Sequence, residues 1–100
     1  MVTKTVITAF INKWVKDMMR DYNCPTLNDL VEYGLCADLA TVIQEKFPDV
    51  KIHSWDGPIH TWVEFEGYHF DMESPEGVKN WREMEYFKDC PQRLLEGELV

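Results

Sequence analysis

A chain of 100 residues with 18 acids against 10 lysines and arginines, and so a formal charge of −8, supports one domain spanning residues 1–100. Its 45% apolar and 28% charged residues are the proportions of a globular protein and exclude a disordered one. The charge is uneven, 11 acids to 5 bases over residues 51–100, and such a surface repels phosphate backbones. That excludes nucleic acid as a direct partner and leaves a solubility charge, a basic partner or imitation of nucleic acid.

Ile7, Phe10, Ile11, Trp14, Val15, Met18, Met19 and Tyr22 recur at helical spacing. They predict a long first helix ending near Asn23, ahead of Cys24-Pro25, with Trp14 buried. Thr26 to Val31 reads as a short helical turn, interrupted at Gly34. A second helix is expected from about Cys36 to Lys46, its apolar stripe Leu39, Val42, Ile43 and Phe47, closed by Pro48. Val50 to Trp55 is the first expected strand, followed by the turn Asp56-Gly57-Pro58. Ile59 to Phe65 and Tyr68 to Glu73 form an expected hairpin around Glu66-Gly67. Asn80 to Lys88 reads as a short last helix anchored by Trp81, Met84 and Phe87. Beyond Pro91 the chain reads as a weakly held tail, with Leu94, Leu95 and Leu99 as its docking residues. N-terminal helices packed on a small antiparallel β-sheet make an α+β fold.

A two-residue turn at Glu66-Gly67 sets Phe65 opposite Tyr68, Trp62 opposite Asp71 and His60 opposite Glu73. Residues 60, 62, 64, 69, 71 and 73 then share one face, on which His60 and Asp71 are diagonal neighbours about 7–8 Å apart at Cα. Ile59, Val63, Phe65, Tyr68, Phe70 and Met72 form the opposite, core face. The face with His60 would be a solvent face but for Trp62, which argues for a cover such as the Cys36 helix. Glu64 and Glu73 beside His60 read as solvated.

From Met1-Val2-Thr3-Lys4 onward no signal peptide is expected, and no apolar run is long enough to span a bilayer. No membrane partner is expected. Three cysteines, Cys24, Cys36 and Cys90, are an odd and sparse set, which points to a reducing compartment and so to the cytoplasm. Cys24 and Cys90 each precede a proline in a loop and read as inert. Cys36 stands at a predicted helix start, where partial positive charge and unspent N–H groups lower a thiol's pKa and hold an oxyanion. His60 is within reach as a base, and Asp71 as the group that orients it. Asn23 and Asn28 are the upstream candidates for a further oxyanion donor. Cys36, His60, His69 and Asp71 have zinc-binding side chains, but no C-x-x-C or H-x-x-x-H spacing accompanies them, so neither a metal nor a cofactor is expected.

Gly34-Leu35-Cys36-Ala37-Asp38-Leu39-Ala40 resembles the G-x-C-x-x-x-A start of the nucleophile helix in transglutaminase-like (papain-like) cysteine hydrolases. His60-Thr61-Trp62-Val63-Glu64 resembles their H-x-W-V-E strand, and Tyr68-His69-Phe70-Asp71 their next strand, in the same order along the chain. Asp71 to Val78 is similar to small bacterial and phage relatives. The resemblance implies a minimal core of that fold, with Cys36 as nucleophile, His60 as base and Asp71 as orienting carboxylate. It implies peptide, isopeptide or amide hydrolysis, or transamidation, of a protein or peptide. The sequence departs from the family in its short interval from Cys36 to His60, which leaves room for one strand. The alternative is a non-enzymatic acidic interaction protein of phage-inhibitor type, or a pseudoenzyme, on the same fold.

Overall fold

The computed structural model describes residues 2–56 and 60–100. The first helix, α1 (Lys4–Asp21), is capped by Thr3, whose hydroxyl accepts from the Val6 amide at 3.3 Å. Thr26 caps α2 (Leu27–Glu32) in the same way through Asp29. Gly34, at φ +73, takes the left-handed turn that ends α2. Two residues later α3 begins, running Cys36–Lys46 as the sequence spacing predicts.

Four antiparallel strands follow: β1 (Lys51–Asp56), β2 (His60–Phe65), β3 (Tyr68–Phe70) and β4 (Glu98–Leu99), ordered β3-β2-β1-β4. Residues 57–59, which hold Gly57-Pro58 of the expected turn and Ile59, lie outside the described residues. The fold is α+β. Among the described residues no helix is long and apolar enough to cross a membrane.

The sheet is covered on both faces, so β2 is almost wholly buried. Leu39, Ala40 and Ile43 of α3 pack with Ile7, Ile11, Val63, Phe65 and Phe70 on one side. On the other, Trp55 and Trp62 pack with Met84 and Phe87. The cover over Trp62 is therefore the segment Trp81–Lys88 and not the Cys36 helix, which lies on the opposite face. Trp14 is only half-buried, packed on the rim of the first cluster, while Phe70 is fully buried.

Two further expectations are corrected. The segment Asn80 to Lys88 is two pieces, a 3-10 turn Trp81–Glu83 and a short α4 (Glu85–Lys88), separated at Met84 where ψ is 145. The break lets Trp81, Met84 and Phe87 all reach the sheet. Nor is the chain beyond Pro91 a loose tail. A 3-10 turn Pro91–Leu95 leads into β4, which pairs with Trp55 and Asp56. Leu94 packs on the second cluster, whereas Leu95 is 79% exposed and docks on nothing. Backbone pairing and Gly97 hold this segment: a Cβ at Gly97 would overlap the Asp56 carbonyl oxygen.

Candidate active site

The hairpin register is as expected from Phe65↔Tyr68 to Val63↔Phe70, and there it stops. Asp71 does not pair with Trp62, nor Glu73 with His60. The cause is Asp71 itself. Its Oδ1 accepts from the amides of Glu73 at 3.0 Å and Ser74 at 2.7 Å, which turns the chain out of the ladder. Its Oδ2 then lies 2.8 Å from His60 Nε2. Both residues are buried.

The space opened beside β2 receives Cys36, the first residue of α3. That helix has no side-chain cap, so its first-turn amides are not consumed by one. The sulfur takes hydrogen bonds from the Ala37 amide and from the Thr61 amide. It also hydrogen-bonds the His60 ring. Because Nε2 faces Asp71, the nitrogen toward the thiol is Nδ1. Cys36, His60 and Asp71 thus form one continuous hydrogen-bonded chain.

The charges follow from this geometry. Burial pushes the Cys36 thiol up, but the hydrogen bond from His60, the Thr61 amide and the His60 charge outweigh it, and the thiol lies below its ordinary value. Burial pushes His60 down, but Asp71 and Cys36 outweigh that and raise it from 6.5 to about 9. The two shifts run in the direction of a thiolate–imidazolium pair.

The imidazole is held by aromatic packing as well. It stacks on Tyr86, centroids 4.1 Å apart and planes 9° from parallel, and meets Trp62 at 27°. Arg93 lies over the Tyr86 ring with Cζ 4.1 Å from its centroid, and its Nη1 donates to the Tyr86 carbonyl at 2.6 Å. A stacked imidazole and a guanidinium at that height cannot share one face, so the tyrosine ring is clamped between them. The Arg93 carbonyl in turn accepts from the Trp55 indole at 3.1 Å.

A cavity of about 90 Å³ opens onto the sulfur, walled by Val31, Gly34, His60, Glu73 and Tyr86 and floored by Asp71 and Met72. Glu73 is therefore not a solvated strand residue. Burial, then the neighbouring Asp71 and Asp89 carboxylates, push its carboxyl up. Neither expected upstream amide is here. Asn28 is exposed, and Asn23 lines a separate hollow beside Cys24 and Tyr33. Cys24 is buried and burial pushes its thiol up, while Cys90 is half-buried. Tyr86, Arg93 and the Thr61 amide were not legible in the sequence, since no motif surrounds them and their placement depends on the fold of residues 81–95.

His69 shares the sheet face of His60 but belongs to another group. Its Nδ1 accepts from the Trp62 indole at 3.0 Å. Glu64 is not simply solvated either: its Oε1 lies 2.7 Å from His53 Nε2, and that hydrogen bond holds its carboxyl below the usual range. The ligand atoms of His53, Glu64 and His69 lie within 4.8 Å of one another. The Trp62 bond, however, places the His69 proton on Nε2 and makes that nitrogen a donor, which disfavours a metal there.

Comparison with models of protein families, with curated proteins and with solved structures finds no match to this chain.

Proposed function

We propose that this chain is a cysteine-dependent acyl-transfer enzyme on a minimal transglutaminase-like core, acting on a peptide, isopeptide or amide bond of a protein or peptide in the cytoplasm. The observation that carries the reading is the unbroken chain from the Cys36 thiol through His60 to the Asp71 carboxylate, opening onto a cavity at a helix N-terminus. The Cys36 thiolate attacks the carbonyl carbon. The amide of Cys36 itself, at the first turn of α3, holds the oxyanion in this scheme. Imidazolium His60 gives its proton to the leaving amine as the C–N bond breaks, leaving a thioester on Cys36. His60, now neutral, takes a proton from water, or from an acceptor amine, as that group attacks the thioester and expels the Cys36 thiolate, which restores the thiolate–imidazolium pair. Asp71 carries no proton in this cycle and fixes the ring with Nδ1 toward sulfur. The three unpaired thiols are at home in a reducing compartment.

Site-resolved alkylation with iodoacetamide at neutral pH tests this reading. Cys36 should react faster than Cys90 and Cys24, and the advantage should vanish in His60→Ala. Equal rates at Cys36 and Cys90 would overturn the enzyme in favour of an acidic interaction protein.

A further inference from the structure

Glu73 lines the cavity over Cys36 and a second hollow of about 240 Å³ as well, the latter with Glu76, Glu83, Glu85 and Lys88 among its walls. Lys88 is turned to Glu85 at 3.8 Å, and no described cation pairs with Glu73, Glu76 or Glu83. The backbone of one wall, residues 71–78, is tied down by hydrogen bonds. Asp71 Oδ1 holds the amides of Glu73 and Ser74, the Thr8 hydroxyl donates to the Pro75 carbonyl at 2.6 Å, and Val78 exchanges two backbone bonds with His69 at 2.7 and 2.9 Å. The backbone that carries Glu73 and Glu76 is thus fixed before any ligand arrives, and Glu73 lines both the hollow and the cavity over the thiol.

We propose that the occupant is a basic polypeptide segment, with a lysine or arginine side chain beside the reacting carbonyl resting on Glu73 and further basic residues in the groove of Glu76, Glu83 and Glu85. This rests on the acyl-transfer reading and deepens it by naming the substrate class. A cation on Glu73 adds to the His60 charge in offsetting the crowding of that carboxylate with Asp71, Asp89 and Glu85, which an acidic or neutral side chain cannot do. The narrow cavity over the sulfur takes only the acyl group, and the wider groove takes the flanking chain.

The test uses charged thiol reagents. The Cys36 thiolate attacks a methanethiosulfonate to form a mixed disulfide and release methanesulfinate. Rates with the trimethylammonium-ethyl and sulfonatoethyl reagents are compared by mass mapping of Cys36. The cationic reagent should lead by about tenfold or more at low salt, and added salt should shrink the ratio. Glu73→Gln and the double variant Glu76→Gln/Glu83→Gln should each cut the ratio severalfold, while Asp21→Asn/Asp49→Asn, which removes equal charge elsewhere, should leave it unchanged. In a second arm, tetralysine should protect Cys36 from iodoacetamide, and tetraglutamate should not. A ratio insensitive to the groove variants, or equally sensitive to the distant pair, overturns the proposal. So does protection by a linear triamine as strong as that by tetralysine, which would make the ligand a small amine. A Cys36 no faster than Cys90 toward the neutral reagent overturns the enzyme reading, while the charge ratio still reports on the groove.

Discussion

The His60 imidazole and the Tyr86 ring lie 4.1 Å apart and 9° from parallel, and Arg93 backs the tyrosine from its other face. The ring that would move the proton is therefore positioned by a segment outside the motifs from Gly34 to Asp71. Tyr86→Phe keeps the stack and should retain most of the Cys36 alkylation rate. Tyr86→Ala lets water reach His60 and should lower that rate by about tenfold, equivalent to ~1.4 kcal/mol. Arg93→Ala should fall between them. Circular dichroism separates this loss from unfolding, and an unchanged rate in Tyr86→Ala would remove the positioning role.

Asp71 raises His60, and burial opposes it. In Asp71→Asn the ring should titrate below its present value of about 9, followed by NMR of the ring protons. Cys36 alkylation at neutral pH should slow in parallel, because the thiolate loses its cationic partner. A His60 titration that does not move would show the 2.8 Å contact to be electrostatically idle.

The same shift has a sign in stability. A pKa raised from 6.5 to about 9 contributes stability that is fully present below pH 6.5 and is lost as pH rises through about 9. The lowered Cys36 works the other way: its contribution is present above the ordinary thiol value and is lost as pH falls through its folded value. In a Cys36→Ala background only the first effect remains. Urea unfolding of that variant should show stability declining as pH rises above 6.5 over a window that ends below about 9, since the part of the shift due to Cys36 is gone, and His60→Ala added to it should flatten the decline.

Phe70 is fully buried, and Phe70→Ala should cost about 3–5 kcal/mol, a large share of a small domain's stability. Gly77→Ala presses on the same ring from outside. Gly77 has φ +84, and an added Cβ would stand 2.8 Å from Phe70 Cε1. Strain and overlap together should lower the urea midpoint measurably, whereas an alanine at exposed Gly67, with nothing within 4 Å of its Cβ, should show only the backbone strain of φ +82.

The three helices before the sheet, the hairpin turn and the burial of Phe70 were legible because each is written in local periodicity or in turn chemistry. Cys36 at a helix start was legible for the same reason, whereas the nearness of His60 to Asp71 follows on paper from a register that the structure ends at Phe70. The departure of Asp71 from the strand was not legible, since it follows from a side chain competing for two amides, a choice the alternation pattern does not record. The expected α3 cover over Trp62 fails because periodicity shows that a face is buried and not by what. Arg93 and β4 escaped notice because two paired residues and a glycine carry no hydrophobic repeat. Trp14 shows the converse error: a wide apolar stripe on α1 includes positions that only graze the core.

β4 is two residues long, β3 is three, and Val78 closes part of the β3 border by bonding to His69. Neither margin of the sheet offers a long row of vacant amides and carbonyls to another molecule. Losing β4 would uncover Trp55 and Asp56 at the border of a strand whose neighbours are already fixed, a template on which a second chain could add itself. Gly97→Ala, which drives β4 off the Asp56 carbonyl, should therefore betray itself first as self-association on a sizing column, before any loss of helix is seen.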